Sequence, residues 1–207
     1  PDIIVLTGDL VDSNHTNVDR AVQFVDEIVK ICPVYYVTGN HEYWLEKSEY
    51  DELMDGLASA GAVILDDQVV EISRGDAKFR LVGLDDKNLA DGTLGTLLNN
   101  DQNVAHEDSE KKEFTVVLAH EPQYLARYAG TGVDLVLSGH AHGGQFRLPF
   151  VGGIVAPDQG FLPEYTAGEY YMNGTEMIVS RGLGNSVIPV RLFNYPEIVC
   201  VELVGKH

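Results

Sequence analysis

The sequence predicts an α/β fold built on a mixed sheet. Three observations carry that reading. Apolar runs rich in β-branched residues recur along the chain. Amphipathic helical patterns lie between several of them. Four of the runs end in a polar residue able to do chemistry: Asp9, Asn40, His120 and His140. Strand and helix in alternation argue for helices packed on sheet faces. The 207 residues suffice for a single domain, 1–207, with a full core.

The elements follow in order. DIIVLTGD (2–9) reads as a buried strand. NVDRAVQFVDEIVKI (17–31) carries apolar residues at helical spacing, with Asn17 placed to cap it. VYYVTGN (34–40) is a second strand, and SEYDELMDGLASAG (48–61) a second helix that stops at Gly61. VVEISRGDAKFRLVGL (69–84) reads as two strands turning at Gly75-Asp76, a hairpin within the sheet. Residues 89–98 form a weaker helical pattern. FTVVLAH (114–120), VDLVLSGH (133–140) and MIVSRG (177–182) are further strands, and NYPEIVCVELVG (194–205) is expected to be the last. Cys32 and Cys200 lie in or beside apolar runs and read as buried thiols.

Acidic residues outnumber basic ones 32 to 14, a field that repels nucleic acid and anionic surfaces. No nucleic-acid partner is therefore expected. A phosphate ester stays open as substrate if bound cations invert the charge locally. No apolar run is long enough to span a membrane.

In open α/β sheets, ligands gather at the carboxyl ends of strands. The polar strand ends should therefore meet on one rim. In GHAH (139–142), His140 and His142 are two residues apart and can face one site, with glycines allowing close approach. Imidazoles so placed suit a metal, although either could be structural. Asp9 is a metal ligand or the cap of the next helix. Asn40 is a ligand or a turn residue. His120 is a ligand or a packed core histidine. Asp12 sits near these positions, and Glu42 and Glu121 sit beside candidate ligands, where they would support them or set the local field. The stretch 147–171, rich in glycine, proline and aromatics, is either a wall over the site or a packed surface loop. Arg181 and Arg191 are candidates to touch a phosphate.

Taken together in this order, GDLVD, GNHE, His120 and GHAH resemble the calcineurin-like metallophosphoesterase superfamily. SGHAHGGQ and SRGLGNSVIPVRLFNYPEI resemble its bacterial phosphodiesterase branch, whose members are often membrane-associated or exported. The resemblance implies a four-layer αββα sandwich of two mixed sheets flanked by helices. It implies two divalent ions, manganese, iron or zinc, and a bound hydroxide that attacks phosphorus. Asp9 then matches the carboxylate that bridges both ions. Asn40, His120 and His140 match ligands of the second ion, and His142 a ligand of the first. His41 matches the catalytic histidine that stabilises charge or protonates the leaving oxygen. Asp12 matches a carboxylate that pairs with His41 in some relatives, or else caps a helix. The implied substrate is a phosphate-ester small molecule or lipid.

The superfamily pattern opens with D-x-H on an earlier strand, and the eight residues before Asp9 hold no such motif. The expectation is a domain without its first strand-helix unit, an unpaired sheet edge, and weak occupancy of the first metal position. A missing N-terminal segment would also be the route to any membrane association. A second function is compatible with the same residues: a catalytically impaired member of the fold acting as a protein-interaction scaffold.

Overall fold

A computed structural model describes residues 1–12, 16–89, 92–100, 113–185 and 190–205. Strand β1 (Ile4–Thr7) leads to helix α1 (Val18–Ile28), β2 (Val34–Val37), α2 (Lys47–Ala60) and β3 (Val63–Ile64). The hairpin β4 (Gln68–Arg74) and β5 (Ala77–Gly83) turns at Gly75-Asp76 as expected. Next come α3 (Thr93–Asn100), β6 (Thr115–Leu118), the short α4 (Leu125–Tyr128) and β7 (Leu135–Ser138). Two small ribbons follow, β8 (Arg147–Leu148) with β9 (Gly152–Gly153), then β10 (Val155–Ala156) with β11 (Gly160–Phe161). The antiparallel pair β12 (Gly168–Met172) and β13 (Thr175–Val179) completes the regular structure.

The strands form two main sheets. The smaller, in the order β1-β2-β3, is parallel throughout. The larger has the order β12-β13-β7-β6-β5-β4, with a parallel centre and an antiparallel strand at each edge. Side-chain alternation sorts the strands into layers. Val34 and Tyr36 of β2 face α1 and α2, packing with Val25, Leu53 and Leu57. Val37 faces the other way, onto Leu81, Val116, Leu118 and Leu135 of the larger sheet. The far face of that sheet sends Val82, Val117, Val136, Met177 and Val179 against Leu94, Leu125 and Tyr128. The result is helices, sheet, sheet, helices. Local signals agree: Asn17 Oδ1 caps α1 by accepting the Arg20 N–H at 2.9 Å, and α2 ends at Gly61.

Three features differ from the sequence reading. Helix α3 starts later than residue 89, because Asp86–Asn88 form a 3-10 turn that leaves Leu89 buried in the core. Residues 194–205 form no strand, although their apolar alternation predicts one. Among the described residues no sheet ladder joins them to a neighbour; Glu197 N–H bonds the Gly182 carbonyl at 3.2 Å, and Ile198 is 82% exposed. Strand propensity without a pairing edge makes no strand. Cys200 is consequently exposed rather than buried, and Cys32 is only half-buried. Among the described residues β1 pairs with β2 alone, and no helix is long and apolar enough to cross a membrane.

Candidate metal centre

The carboxyl ends of β1, β2, β6 and β7 meet at one rim, where the two sheets close on each other. Gly8 and Gly39 make the closure possible. A Cβ on Gly8 would lie 2.6 Å from Gly39 N and 2.7 Å from His120 Nδ1; one on Gly39 would lie 2.5 Å from Asp9 Oδ1. Without side chains there, Asp9 and Asn40 come face to face with His120 and His140.

Four donor atoms converge. His120 Nε2 lies 3.1 Å from Asn40 Oδ1 and 3.2 Å from Asp9 Oδ2. His140 Nδ1 lies 3.0 Å from Asn40 Oδ1 and 3.0 Å from His120 Nε2. The outer nitrogen of each ring is already engaged: His120 Nδ1 with the Thr7 carbonyl at 2.6 Å, His140 Nε2 with Asp158 Oδ2 at 3.0 Å. Each outer nitrogen must carry its hydrogen to donate to those oxygens. The inner nitrogens of the neutral rings then present lone pairs to each other and to two oxygens. Asp9 Oδ2 is buried and has no hydrogen-bond partner among the described residues. Only a proton or a cation at the centre can satisfy all four atoms. Asp9, His120 and His140 form a set able to hold a metal ion, and the mixed nitrogen and oxygen donors suit a divalent transition metal.

The electrostatics of the chain agree. Burial opposes charge on Asp9, yet His120 and His41 hold its carboxyl well below the usual range. Burial also opposes charge on His120, but Asp9 pushes that imidazole up to about 9. Burial, then the charge of His120, push His140 down to about 4. A proton on His120, whose Nε2 lies 3.2 Å from Asp9 Oδ2, would stand where a cation would.

Asp9, His140 and His142 all have left-handed backbone, with φ of 53°, 60° and 46°. Such residues cost about 1–3 kcal/mol each unless their surroundings over-determine them. For Asp9 the surroundings are Glu42. Fully buried, its carboxylate accepts N–H groups from Asp9 (3.0 Å), Leu10 (2.8 Å), Val11 (3.4 Å) and Gly39 (2.7 Å). Burial first, then Asp9, push the Glu42 carboxyl up to about 7, against the pull of these N–H groups.

His41 is buried beneath Trp44, ring centres 4.6 Å apart, with Nδ1 3.8 Å from Asp12 Oδ1. His142 stands outside the four-donor set. Burial pushes its imidazole down to about 4, with Asp9 opposing and Arg191 reinforcing. Arg181 is paired with Glu197 at 3.4 Å. Arg191 is held by the carbonyls of Arg181 and Gly184, and its Nε and Nη1 are buried without a hydrogen-bond partner among the described residues. Residues 147–171 are not a plain loop; their ribbons lie against the GHAHGGQ turn and bring Asp158 to His140. Asp158 is the contributor that sequence reasoning missed, while Glu42 was expected only to stand beside the ligands and set their field. The GNHE pattern pointed at Glu42, but nothing in the sequence singled out Asp158.

Comparison with known proteins places this geometry. The family model for calcineurin-like phosphoesterases matches residues 1–144, a span that contains every predicted metal and catalytic position. An uncharacterized metallophosphoesterase of Aquifex aeolicus is 36% identical over 212 residues, covering 100% of this chain and 74% of its own length. The phosphodiesterase YaeI of Escherichia coli is 30% identical over 205 residues, covering 99% of this chain and 71% of its own. Among solved structures, the sulfate thiohydrolase SoxB from Thermus thermophilus aligns over 86% of this chain and 33% of its own, with a TM-score of 0.52. At 14% identity that likeness is one of fold alone.

Proposed function

The chain belongs to the calcineurin-like phosphoesterase family, and we propose that it is a metal-dependent phosphodiesterase. The observation that carries this reading is the four-donor set, Asp9 Oδ2, Asn40 Oδ1, His120 Nε2 and His140 Nδ1, whose neighbouring atoms lie 3.0–3.2 Å apart. We assign these residues to one divalent ion, and Asp9 with His142 to a second. Manganese, iron and zinc all suit such donors. Bound ions of this kind would neutralise phosphoryl charge and make water acidic enough to supply a nucleophile near neutral pH.

The chain's own residues do the rest. Asp9 presents one oxygen to the set, while its other oxygen accepts the His41 N–H at 3.0 Å. The carboxylate thereby ties the ligand cluster to the residue assigned to acid catalysis. His41, oriented by Asp12 and sheltered by Trp44, holds a proton for the departing oxygen. The net charge of −18 would repel a phosphodiester if the carboxylates at this rim stood alone, so the substrate class itself calls for cations here. A small phosphodiester or a lipid phosphodiester fits this reading. Similarity to YaeI, named a phosphodiesterase, supports the diester over the monoester.

The test is metal content by elemental analysis, together with hydrolysis of bis-p-nitrophenyl phosphate in added Mn2+. The wild-type chain should bind the metal and turn over. Asp9→Ala and His140→Ala should lose both. Turnover retained in either variant, or no metal uptake by the wild type, contradicts the reading.

A further inference from the structure

The geometry points to Asp158 as a positioning residue that fixes the orientation and tautomer of His140, so that Nδ1 is the nitrogen offered to the metal centre. The inference rests on the metal site proposed above. Asp158 Oδ2 lies 3.0 Å from His140 Nε2, on the side of the ring away from Asn40 and His120. Its acceptor oxygen requires the hydrogen of that ring on Nε2, which leaves Nδ1 bare. His120 is anchored in the same way but to a neutral carbonyl, that of Thr7. A carboxylate anchor also raises the basicity of the ring that it holds.

The carboxylate is delivered by a built support. Asp158 sits at the tip of the β10–β11 ribbon with φ of 54°. Beside it, the Gln159 side chain bonds the backbone of Tyr165 twice, at 2.8 Å each. Ala156 and Tyr165 are buried in the core. At the base of the ribbon, the Ile154 N–H reaches the carbonyls of Gly144 (3.0 Å) and Phe146 (2.8 Å). Here the backbones of Gly144 and Gly153 touch: a Cβ on Gly144 would lie 2.4 Å from Gly153 Cα. The ribbon is therefore docked on the turn that carries His140, and the position of Asp158 follows from that contact.

One rival uses the same atoms. Glu121, His140 and Asp158 also lie close enough to hold an ion between them, with Asp158 as a ligand. The two readings differ in what Asp158 does to the metal-free ring.

The test uses the full chain labelled with 15N-histidine. Long-range 15N–1H correlation spectra of the metal-free protein report the tautomer of His140, and titration calorimetry with Zn2+ reports affinity. In the wild type, His140 should carry its hydrogen on Nε2. In Asp158→Ala it should become a mixture, and Zn2+ affinity should fall about 10- to 100-fold. Asp158→Asn keeps an acceptor oxygen and should restore the tautomer and most of the affinity. Asp158 is 63% exposed at its side chain, so the variants should fold, and unchanged 15N shifts of the His120 ring serve as the internal control. An unchanged His140 tautomer in Asp158→Ala overturns the inference. If Zn2+ affinity falls all the same, Asp158 is a ligand instead. If the wild type binds no Zn2+, the metal-site reading fails, while the tautomer comparison still decides the role of Asp158.

Discussion

Glu42 and Asp9 hold each other's loops: Glu42 Oε2 accepts the Asp9 N–H at 3.0 Å, and Asp9 Oδ1 accepts the N–H of His41, next to Glu42, at 3.0 Å. The β1 and β2 strand ends are thus tied in both directions. Glu42→Gln keeps the shape but replaces an acceptor oxygen with an NH2 group that confronts backbone N–H donors. The stranded buried donors should cost roughly 1–3 kcal/mol. Urea unfolding of the metal-free variant measures it, and a midpoint matching the wild type would show that the tie is dispensable.

Gly39 tests the closure of the two sheets. Alanine there would put a Cβ 2.8 Å from His120 Cε1 as well as 2.5 Å from Asp9 Oδ1. Both neighbours belong to the donor set, so neither can move without opening it. Gly39→Ala should therefore lose bound metal, in addition to about 1–3 kcal/mol of overpacking strain. Elemental analysis of the purified variant checks this; full metal content would mean the donors tolerate displacement.

His41 should separate catalysis from binding. Its ring is not among the four donors, and it lies 3.8 Å from Asp12 rather than within the cluster. His41→Asn should keep the metal while lowering kcat on bis-p-nitrophenyl phosphate by roughly 10²–10⁴. Asp12→Asn should give a smaller loss with a shifted pH profile. Metal loss in His41→Asn would place His41 among the ligands instead.

These residues were legible to different degrees, for physical reasons. The strands that frame the site announce themselves by β-branched runs, and their inward and outward alternation matches the layers found around Val34, Tyr36 and Val37. Asp9, Asn40, His120 and His140 were legible because each directly follows such a run. Glu42 was visible as a neighbour of His41, but its work is done on four backbone N–H groups, three of them more than 30 positions away. Backbone donors leave no trace in residue identity. Asp158 reaches His140 through a glycine contact between ribbon and turn, and no periodicity encodes that path. The segment 194–205 failed in the opposite way: its pattern is that of a strand, but a strand also needs an edge to pair with.

Asp86 should contribute to the pH dependence of the metal-free fold. It stands on the turn after β5, its N–H donated to Thr38 Oγ1 at 3.3 Å, and its Oδ1 is buried without a hydrogen-bond partner among the described residues. Burial, with Glu121, Asp9 and Asp85 adding and His120 opposing, pushes its carboxyl from 3.8 up to about 7. Between those values the folded chain holds a proton that the unfolded chain has released. Stability from this group is therefore complete below the lower value and declines as pH rises towards the upper one. Glu42 shifts in the same direction, so the wild type should lose stability from both. Asp86→Asn is neutral throughout and keeps the contact to Thr38 Oγ1, which uses only the backbone N–H of residue 86. In EDTA, the variant should gain on the wild type between about pH 5 and about pH 8, as the wild-type carboxyl is forced to ionise without a partner. Urea midpoints at the two pH values measure the difference. Parallel curves for the two proteins would show that Asp86 ionises freely in the folded chain and that its buried oxygen finds a partner when charged.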